Sequence, residues 1–197
     1  MYRRFIKRIL DCFFALMLFP FWLVVLVVLA PLIHLEDGGP VFYNAPRLGK
    51  NGNVFTMYKF RSMKTDAPDI RNADGSTFTS DDDPRLTRVG RWIRKTSLDE
   101  TPQLLNVIKG DMSFVGPRPD KGNEVRKLEV RPGITGYNQA YYRNAIEWKE
   151  RIRNDVYYVD HMSFWFDTKI LMRTVLSVLR QDNIYPNQVS ESNESLD

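Results

Sequence analysis

Hydrophobic residues concentrate in one long run near the start of the chain. Residues 13–35 contain no Asp, Glu, Lys or Arg, and a helix of that length can cross the hydrocarbon core of a bilayer. Four cations precede the run, which predicts a cytoplasmic N-terminus: Arg3, Arg4, Lys7 and Arg8. The run is too long for the apolar part of a signal peptide and no small-residue cleavage site follows it. We therefore interpret residues 1–37 as a permanent membrane anchor.

Two prolines, Pro20 and Pro31, interrupt this apolar run. Each proline removes a backbone donor and clashes with the preceding turn, so the helix is predicted to kink. A kinked segment can cross the bilayer, or it can dip into the membrane and return with both ends cytoplasmic. Hydropathy alone favours the crossing arrangement.

Shorter polar and apolar runs follow the break at Gly38-Gly39-Pro40. Residues 41–43 and 54–58 are β-prone and flank the turn sequence Gly49-Lys50-Asn51-Gly52, which predicts two short strands. Residues 66–84 are polar and are predicted to form a flexible loop.

Three helices are predicted beyond this loop. Residues 88–95 form a short basic helix, and residues 102–109 form a second one with Thr101 as N-cap, Pro102 in first position and Gly110 at the stop. Residues 163–180 carry apolar side chains at helical spacing. Their apolar face could pack in the core or lie on the membrane interface. The polar tail, residues 187–197, is predicted to be disordered.

Composition and charge narrow the classes of protein. The 197 residues suit one medium domain, the cytosolic part of which we place at residues 38–186. The lone Cys12 cannot form an internal disulfide, so a reducing compartment is expected. Residues 42–180 hold 24 Lys and Arg against 17 Asp and Glu, a balance that suits anionic partners. Nucleic acid is not favoured as the partner, because no nucleic-acid-binding motif is evident and the chain is anchored in a membrane.

The first candidate for chemistry is the sequence Ser97-Leu98-Asp99-Glu100, just before a predicted helix. An Asp-Glu pair there can simply stabilise the helix by interacting favourably with its dipole. It can also divide two tasks, with one carboxylate attacking a phosphorus atom and the other holding Mg²⁺.

The second candidate is a set of cations. Arg118 lies between Pro117 and Pro119, so its backbone is stiff and its planar guanidinium can be aimed at phosphate oxygens. Other cations that could stabilise a pyrophosphate during transfer are Lys59, Arg61, Arg94 and Arg143. Ordinary surface charge is the alternative interpretation.

Together these motifs resemble the bacterial sugar transferases, the monotopic phosphoglycosyl transferases of polyprenyl-phosphate-dependent glycan assembly. The resemblance covers about 175 residues and is carried by these segments: residues 7–11, 39–42, 47–52, 58–63, 83–90, 97–100, 106–113, 115–119, 131–136 and 155–159.

The resemblance implies a fold and a reaction. The fold would be α/β, with a re-entrant membrane helix, interfacial amphipathic helices and a small cytosolic domain with a short sheet. Asp99 would attack the β-phosphate of a UDP-sugar, release UMP and carry the phospho-sugar to polyprenyl phosphate. Glu100 would be a ligand of Mg²⁺, with Mn²⁺ as an alternative. Lys59, Arg61, Arg94 and Arg118 would bind phosphate, in a site completed by four nucleotide-sugar contacts: Arg131, Gln139, Arg143 and Asn144.

The resemblance also implies a location, the cytoplasmic face of the bacterial inner membrane with both ends of the chain cytoplasmic. That topology replaces the crossing helix favoured by hydropathy. It leaves open which UDP-sugar is used, whether the chain forms a homodimer and whether downstream glycosyltransferases are partners.

The chain departs from the family pattern at two places. Val24 stands where the family usually has its membrane proline. Tyr141 and Tyr142 add aromatic bulk, which would alter sugar recognition or simply pack. The rival function is a non-catalytic membrane scaffold that binds anionic lipid or partner proteins. Such a scaffold would not need Asp99, Glu100 or Arg118 together. A polytopic transporter fragment is excluded because there is only one long apolar run.

Overall fold

Six α-helices and two small sheets make up the described part of the chain in this computed structural model, which covers residues 1–70, 78, 80, 82–119, 125–142 and 146–180. The fold is the mixed helix and sheet arrangement that was predicted. In chain order its elements are α1 (Lys7–Asp37), β1 (Phe42–Leu48), β2 (Val54–Phe60), α2 (Arg88–Lys95), α3 (Gln103–Lys109), β3 (Ser113–Val115), β4 (Gly133–Thr135), α4 (Tyr137–Tyr141), α5 (Trp148–His161) and α6 (Phe164–Arg180).

Helix α1 lies along the rest of the protein instead of projecting from it. Its buried positions recur at multiples of the helical repeat and so form one stripe: Lys7, Asp11, Ala15, Trp22, Leu29 and Ile33. The helix continues without interruption through Pro20 and Pro31, both of which are on its exposed side. It ends at Gly38, whose φ of 72° is a left-handed conformation that glycine adopts without strain.

The polar residues at the start of α1 fix this helix to the C-terminal half of the chain. Lys7 Nζ donates to the Asp167 carboxylate at 2.5 Å, and Asp11 accepts from the Phe114 N–H at 3.1 Å. The Arg8 guanidinium donates to the carbonyls of Val107 and Ile108 at the end of α3. A cation there satisfies orphan carbonyls and interacts favourably with the helix dipole.

The two predicted strands are confirmed and form an antiparallel hairpin, with Phe42 opposite Phe60 and Leu48 opposite Val54. Its turn contains Asn51 at φ 59°, a conformation that asparagine tolerates. Helix α3 is joined to the open edge of β2 by the side chain of Asn106. The Asn106 amide donates to the Thr56 carbonyl at 2.7 Å and accepts from the Tyr58 N–H at 3.1 Å, as a neighbouring strand would.

Hydrophobic packing holds α1, the hairpin and α3 together. Ala15 and Trp22 pack with Phe55, Met57 and side chains of α3. Further along α1, Leu29 and Ile33 pack with Phe60 and with Ile93 of α2. Burying a side chain of this size contributes roughly 1.5–3 kcal/mol, so the apolar segment is part of the core of the protein.

The second sheet pairs β3 with β4 in parallel, Ser113 opposite Gly133 and Val115 opposite Thr135. The two backbones approach so closely that a Cβ on Gly133 would lie 2.1 Å from the Gly116 nitrogen. Helices α4, α5 and α6 pack on this pair through Ala140, Tyr158 and Ile170. Neither the parallel pair nor α5 was predicted.

The helix predictions compare closely with the structure. Residues 88–95 are helical as predicted, and the C-terminal helix begins one residue later than expected, at Phe164. The predicted cap of α3 was wrong. Pro102 is the N-cap, and the Thr101 hydroxyl instead donates to the Leu98 carbonyl at 2.8 Å. The polar tail and much of the loop at residues 66–84 lie outside the described residues.

Helices α1 and α6 expose apolar faces. On α1 the exposed side chains include Phe13, Phe21 and Val27. On α6 they form one stripe: Phe164, Trp165, Leu171, Met172, Val175, Leu176 and Leu179. Contiguous apolar surface of this kind marks a protein or membrane contact.

Candidate active site

The Asp99-Glu100 pair lies in a short 3₁₀ turn, Leu98–Glu100, between α2 and α3. Helix α2 is set against the loop after β2, where a Cβ on Gly90 would lie 1.8 Å from the Ser62 carbonyl oxygen. Ser97 then turns the chain with a φ of 57°. This left-handed conformation costs a non-glycine residue roughly 1–2 kcal/mol. It turns the chain away from the axis of α2 just before the carboxylate pair.

Lys59 from β2 pairs with Glu100. Its Nζ lies 2.7 Å from Glu100 Oε1, and the two side chains are 17% and 29% exposed. The pair is therefore partly shielded from water, and its attraction is stronger than that of a surface ion pair.

Two more cations act on the carboxylates. Arg94, at the end of α2, donates from Nε to the Ser62 hydroxyl at 2.9 Å, and its charge stabilises ionised Asp99. The charge of Arg118 stabilises ionised Glu100. Arg118 is exposed between the buried Pro117 and Pro119, and its guanidinium has no hydrogen-bond partner within the described residues. The structure thus brings Lys59, Arg94 and Arg118 together with the dyad.

The pKa values of the two carboxylates are shifted in opposite directions. Burial, together with repulsion from Glu100, raises the pKa of Asp99 to about 6, although Lys59 and Arg94 oppose that rise. Burial also disfavours the Glu100 anion, but Lys59 and Arg118 outweigh it and lower the pKa of Glu100 to about 2. Asp99 is therefore the more basic carboxylate, and Glu100 is ionised throughout the neutral range.

Sequence reasoning missed two residues that support the dyad. Gln103, which is 2% exposed, hydrogen-bonds Glu100, and Ser62 holds Arg94. Gln103 stands at the start of a predicted helix, which gave no sign of its role, and Ser62 lies within the family-like segment 58–63 but was not assigned a role.

Arg61 has a different task from the phosphate binding suggested by the sequence. The side chain is buried, and its two amino groups each lie 2.5 Å from an oxygen of Asp37. Its remaining N–H groups donate to the carbonyls of Pro40, Met63 and Ile33. All five donors are thus used to hold the end of α1, and none is left for a phosphate.

The four residues predicted to contact the nucleotide-sugar differ in their surroundings. Arg131 donates to the Gly110 carbonyl at 2.7 Å and contacts no member of the dyad within the described residues. Gln139, on α4, has a buried side-chain oxygen without a donor in the described part of the chain. An unpaired buried acceptor is costly, and a ligand hydroxyl could satisfy it. Arg143 and Asn144 lie outside the described residues.

Tyr141 and Tyr142, which depart from the family pattern, belong to a cluster of aromatic rings around Tyr137. The ring centroids of Tyr137 and Tyr141 are 4.8 Å apart, and those of Tyr137 and Tyr142 are 6.3 Å apart. The guanidinium of Arg173 lies over Tyr141 at 5.6 Å. The added bulk therefore packs.

The donor set at the dyad suits a magnesium ion. No group of three or more His, Cys, Asp or Glu side chains that could hold a metal occurs among the residues that the structure describes. Mg²⁺, however, is commonly held by one or two carboxylates together with substrate phosphates. Asp99 and Glu100 provide adjacent hard oxygen ligands, and Glu100 is ionised at neutral pH.

Fold and site together define a membrane-associated protein with a carboxylate pair set among cations. The segment Tyr2–Asp37 is long and apolar enough to cross a membrane by length and composition, and only 22% of its most apolar window is buried. Residues 2–181 match the family model described as bacterial sugar transferase. The chain therefore belongs to the bacterial sugar transferase family.

Named relatives agree with this membership. An uncharacterized sugar transferase, EpsL of Bacillus subtilis, is 43% identical over 91% of this chain and 90% of its own length. An undecaprenyl-phosphate galactose phosphotransferase of Salmonella typhimurium is 39% identical over 92% of this chain and 42% of its own length. A UDP-glucose:undecaprenyl-phosphate glucose-1-phosphate transferase of Caulobacter vibrioides is also 39% identical, over 91% of this chain and 72% of its own length. The chain thus spans most of some relatives and less than half of others.

Proposed function

We propose that this transferase moves a sugar 1-phosphate from a UDP-sugar to polyprenyl phosphate at the cytoplasmic face of the bacterial inner membrane. The observation that carries the proposal is the half-buried Asp99-Glu100 pair set among Lys59, Arg94 and Arg118. Relatives named for sugar-phosphate transfer to undecaprenyl phosphate support the substrate class.

Asp99 is the nucleophile in this proposal. At neutral pH it is ionised and more basic than an ordinary aspartate, because its pKa is raised to about 6. A carboxylate oxygen of Asp99 attacks the β-phosphorus of the UDP-sugar, the bond from that phosphorus to the bridging oxygen breaks, and UMP leaves with that oxygen. A phosphate oxygen of polyprenyl phosphate then attacks the same phosphorus. Asp99 is released as a carboxylate, and a polyprenyl diphosphate sugar is formed.

The cations keep the phosphates in place and stabilise their charge. Arg118 can offer its planar guanidinium to phosphate oxygens. Its flanking prolines are buried, and the guanidinium makes no hydrogen bond to the described residues. Lys59, which pairs with Glu100, and Arg94 both act on Asp99 through their charge, so they can balance the charge of a pentacoordinate phosphorus. Gln139 is retained as a contact for a sugar hydroxyl.

Glu100 would hold Mg²⁺, with Asp99 adjacent to it. Bound there, the ion would neutralise part of the charge of the diphosphate. Lys59 already pairs with Glu100, and this ion pair keeps the carboxylate ionised and oriented. Chelation should stop UMP release, and Mg²⁺ or Mn²⁺ should restore it. Full activity in excess chelator would contradict this role.

The proposed topology has both ends of α1 on the cytoplasmic side. At the start of α1, Lys7 pairs with Asp167, and at its end Asp37 pairs with Arg61. Both partners belong to the same folded body, whereas a helix of 31 residues is about 46 Å long and a hydrocarbon core is about 30 Å thick. A crossing helix would separate these contacts. Instead, α1 can sink its exposed apolar face into one side of the bilayer, and α6 can lie at the interface.

Labelling tests this topology. After Cys12→Ser removes the native thiol, cysteines are placed singly by Tyr2→Cys and Asn51→Cys and treated with a membrane-impermeant maleimide in intact cells. Neither site should react until the cells are permeabilised. Labelling at one site but not the other would show a crossing helix.

The reaction itself is tested with the purified full chain. A panel of UDP-sugars should include one that yields UMP with polyprenyl phosphate. Without the acceptor, intact-protein mass spectrometry should show a phospho-sugar adduct on Asp99. Asp99→Asn should abolish both signals, whereas the control Asp66→Asn, at an exposed position, should retain them. Normal turnover by Asp99→Asn would refute the covalent mechanism, and no UMP release with any donor would favour the scaffold.

A further inference from the structure

A cationic cleft lies at the start of the membrane helix. It has a volume of ≈ 580 Å³ and is lined by Arg3, Arg4, Lys50, Glu129 and Arg131. Four cations thus face one carboxylate. None of these residues belongs to the group formed by Asp99, Glu100 and their cations, so the cleft is a second concentration of positive charge.

The protein neutralises only part of this charge. Arg3 pairs with Glu129 at 3.1 Å, and the Gly110 carbonyl holds the Arg131 guanidinium through Nε. Arg4 and Lys50 are exposed and have no hydrogen-bond or ion-pair partner in the part of the chain that the structure describes. Like charges gathered around one cavity repel each other, and a bound anion would remove that cost.

The surroundings of the cleft indicate where the anion comes from. Phe5, directly after Arg4, and Ile9, a little over one turn further on, are both 66% exposed and lead into the apolar face of α1. On the same side the Tyr2 ring meets Phe164 edge-on at 6.3 Å, next to Trp165, which is 77% exposed. Exposed aromatic residues beside cations at the end of an apolar helix are typical of the headgroup level of a membrane.

We propose that this cleft binds the phosphate of an anionic phospholipid headgroup of the surrounding bilayer, at a site separate from Asp99. Arg4 and Lys50 contact the phosphate, and Arg131 closes the cleft. The lipid anchors the start of α1 and the hairpin turn at one depth. The proposal rests on the proposed membrane location of α1, which brings the cleft to the headgroups, but it does not depend on the chemistry of Asp99.

Short-chain lipids test the proposal on the full chain in detergent. Dihexanoyl phosphatidylglycerol and dihexanoyl phosphatidylcholine are titrated by calorimetry, and only the anionic lipid should bind. The double variant Arg4→Ala/Lys50→Ala should weaken that binding about thirtyfold, because each cation near an anionic headgroup contributes about 1 kcal/mol. The matched control Lys149→Ala/Arg153→Ala removes the same charges from the exposed side of α5 and should bind normally. Unchanged melting temperatures show that both double variants fold.

The competing outcomes are distinct. Equal binding of both lipids, or undiminished binding by Arg4→Ala/Lys50→Ala, would overturn the proposal. If UDP or inorganic phosphate displaces phosphatidylglycerol and the double variant loses UDP affinity in parallel, the cleft serves the diphosphate of a donor, and the lipid assignment is wrong. Asp99→Asn should bind the lipid like the unaltered chain, so a failure of the proposed transfer reaction leaves this test intact.

Discussion

Glu36, in the last turn of the membrane helix α1, caps the N-terminus of α2. Its carboxylate accepts from the Arg88 N–H at 2.6 Å and from the Val89 N–H at 3.1 Å. An acceptor there satisfies orphan donors, and its negative charge interacts favourably with the helix dipole. The other end of α2 carries Arg94 and leads through Ser97 into the carboxylate pair. The membrane helix thus fixes the position of the turn that carries Asp99 and Glu100.

Glu36→Ala should lower both stability and turnover. The N-cap Thr87 still accepts from Gly90 in this variant, but the loss of two hydrogen bonds costs roughly 0.5–1.5 kcal/mol each, and a shifted α2 would misplace Arg94 relative to Asp99. We expect a lower melting temperature and a lower kcat with little change in KM, and partial rescue by Glu36→Gln, which keeps an acceptor. Glu147→Ala is the control, because Glu147 stands before α5 without making a cap bond. Equal effects of the two alanine variants would remove this role from Glu36.

Asp99→Asn should stabilise the folded protein while it abolishes turnover. Burial raises the pKa of Asp99 in the folded state above its unfolded value, so the unfolded chain releases the proton more readily. The carboxylate then costs stability increasingly as pH rises from about 4 to about 6, and the full cost remains at neutral pH. Thermal unfolding should therefore give a higher melting temperature for the variant at pH 7 and a much smaller difference at pH 4. A lower melting temperature at pH 7 would show that the charge is stabilising.

The rate should fall in acid around the raised pKa of Asp99. The nucleophile must be ionised, and it becomes protonated as pH drops through about 6, whereas an ordinary aspartate would remain ionised down to about 4. The acid limb of kcat/KM should therefore lie near pH 6. Lys59→Gln removes a charge that lowers this pKa, so the limb should move to higher pH. A limb that stays in place in Lys59→Gln would show that another group controls it.

Arg61 and Arg118 should respond in opposite ways to truncation. Arg61→Ala breaks a shielded pair with Asp37 and should cost about 2–4 kcal/mol of unfolding free energy, somewhat less than the 3–5 kcal/mol typical of fully buried pairs. Arg118 is exposed, so Arg118→Ala should lower the melting temperature much less while it raises KM for the UDP-sugar, and Arg118→Lys should restore only part of the affinity. Denaturant unfolding and steady-state kinetics on both variants separate the two roles.

The elements that were predictable have local causes. The hairpin was predicted from two β-prone runs around a turn sequence and α2 from a short basic segment, in each case from residues within a few positions of each other. The β3–β4 pair was missed because each strand has only three residues and its partner is about 20 residues away along the chain, so neither leaves a periodic pattern. The buried stripe of α1 was invisible for the opposite reason, since a helix that is apolar all round gives no sign of which side faces protein.

The site was partly predictable for a similar reason. The motif placed Asp99, Glu100 and Arg118 in one region, but it could not separate Lys59 from Arg61. Alternation along a strand puts both side chains on one side. The structure separates them because β2 ends at Phe60, and Arg61 then turns towards Asp37, a residue that sequence alone assigned to the membrane segment.

The packing of α1 along the folded body has a consequence for how this enzyme can be handled and regulated. Cutting the chain at Gly38 would not liberate a working soluble half. Removal of residues 1–37 would take Trp22, Leu29 and Ile33 from the interior and would leave Arg61 and the start of α2 without their carboxylates. The membrane helix and the rest of the enzyme therefore fold as one unit. Proteolytic release of the protein from the membrane, with loss of α1, should also unfold the enzyme.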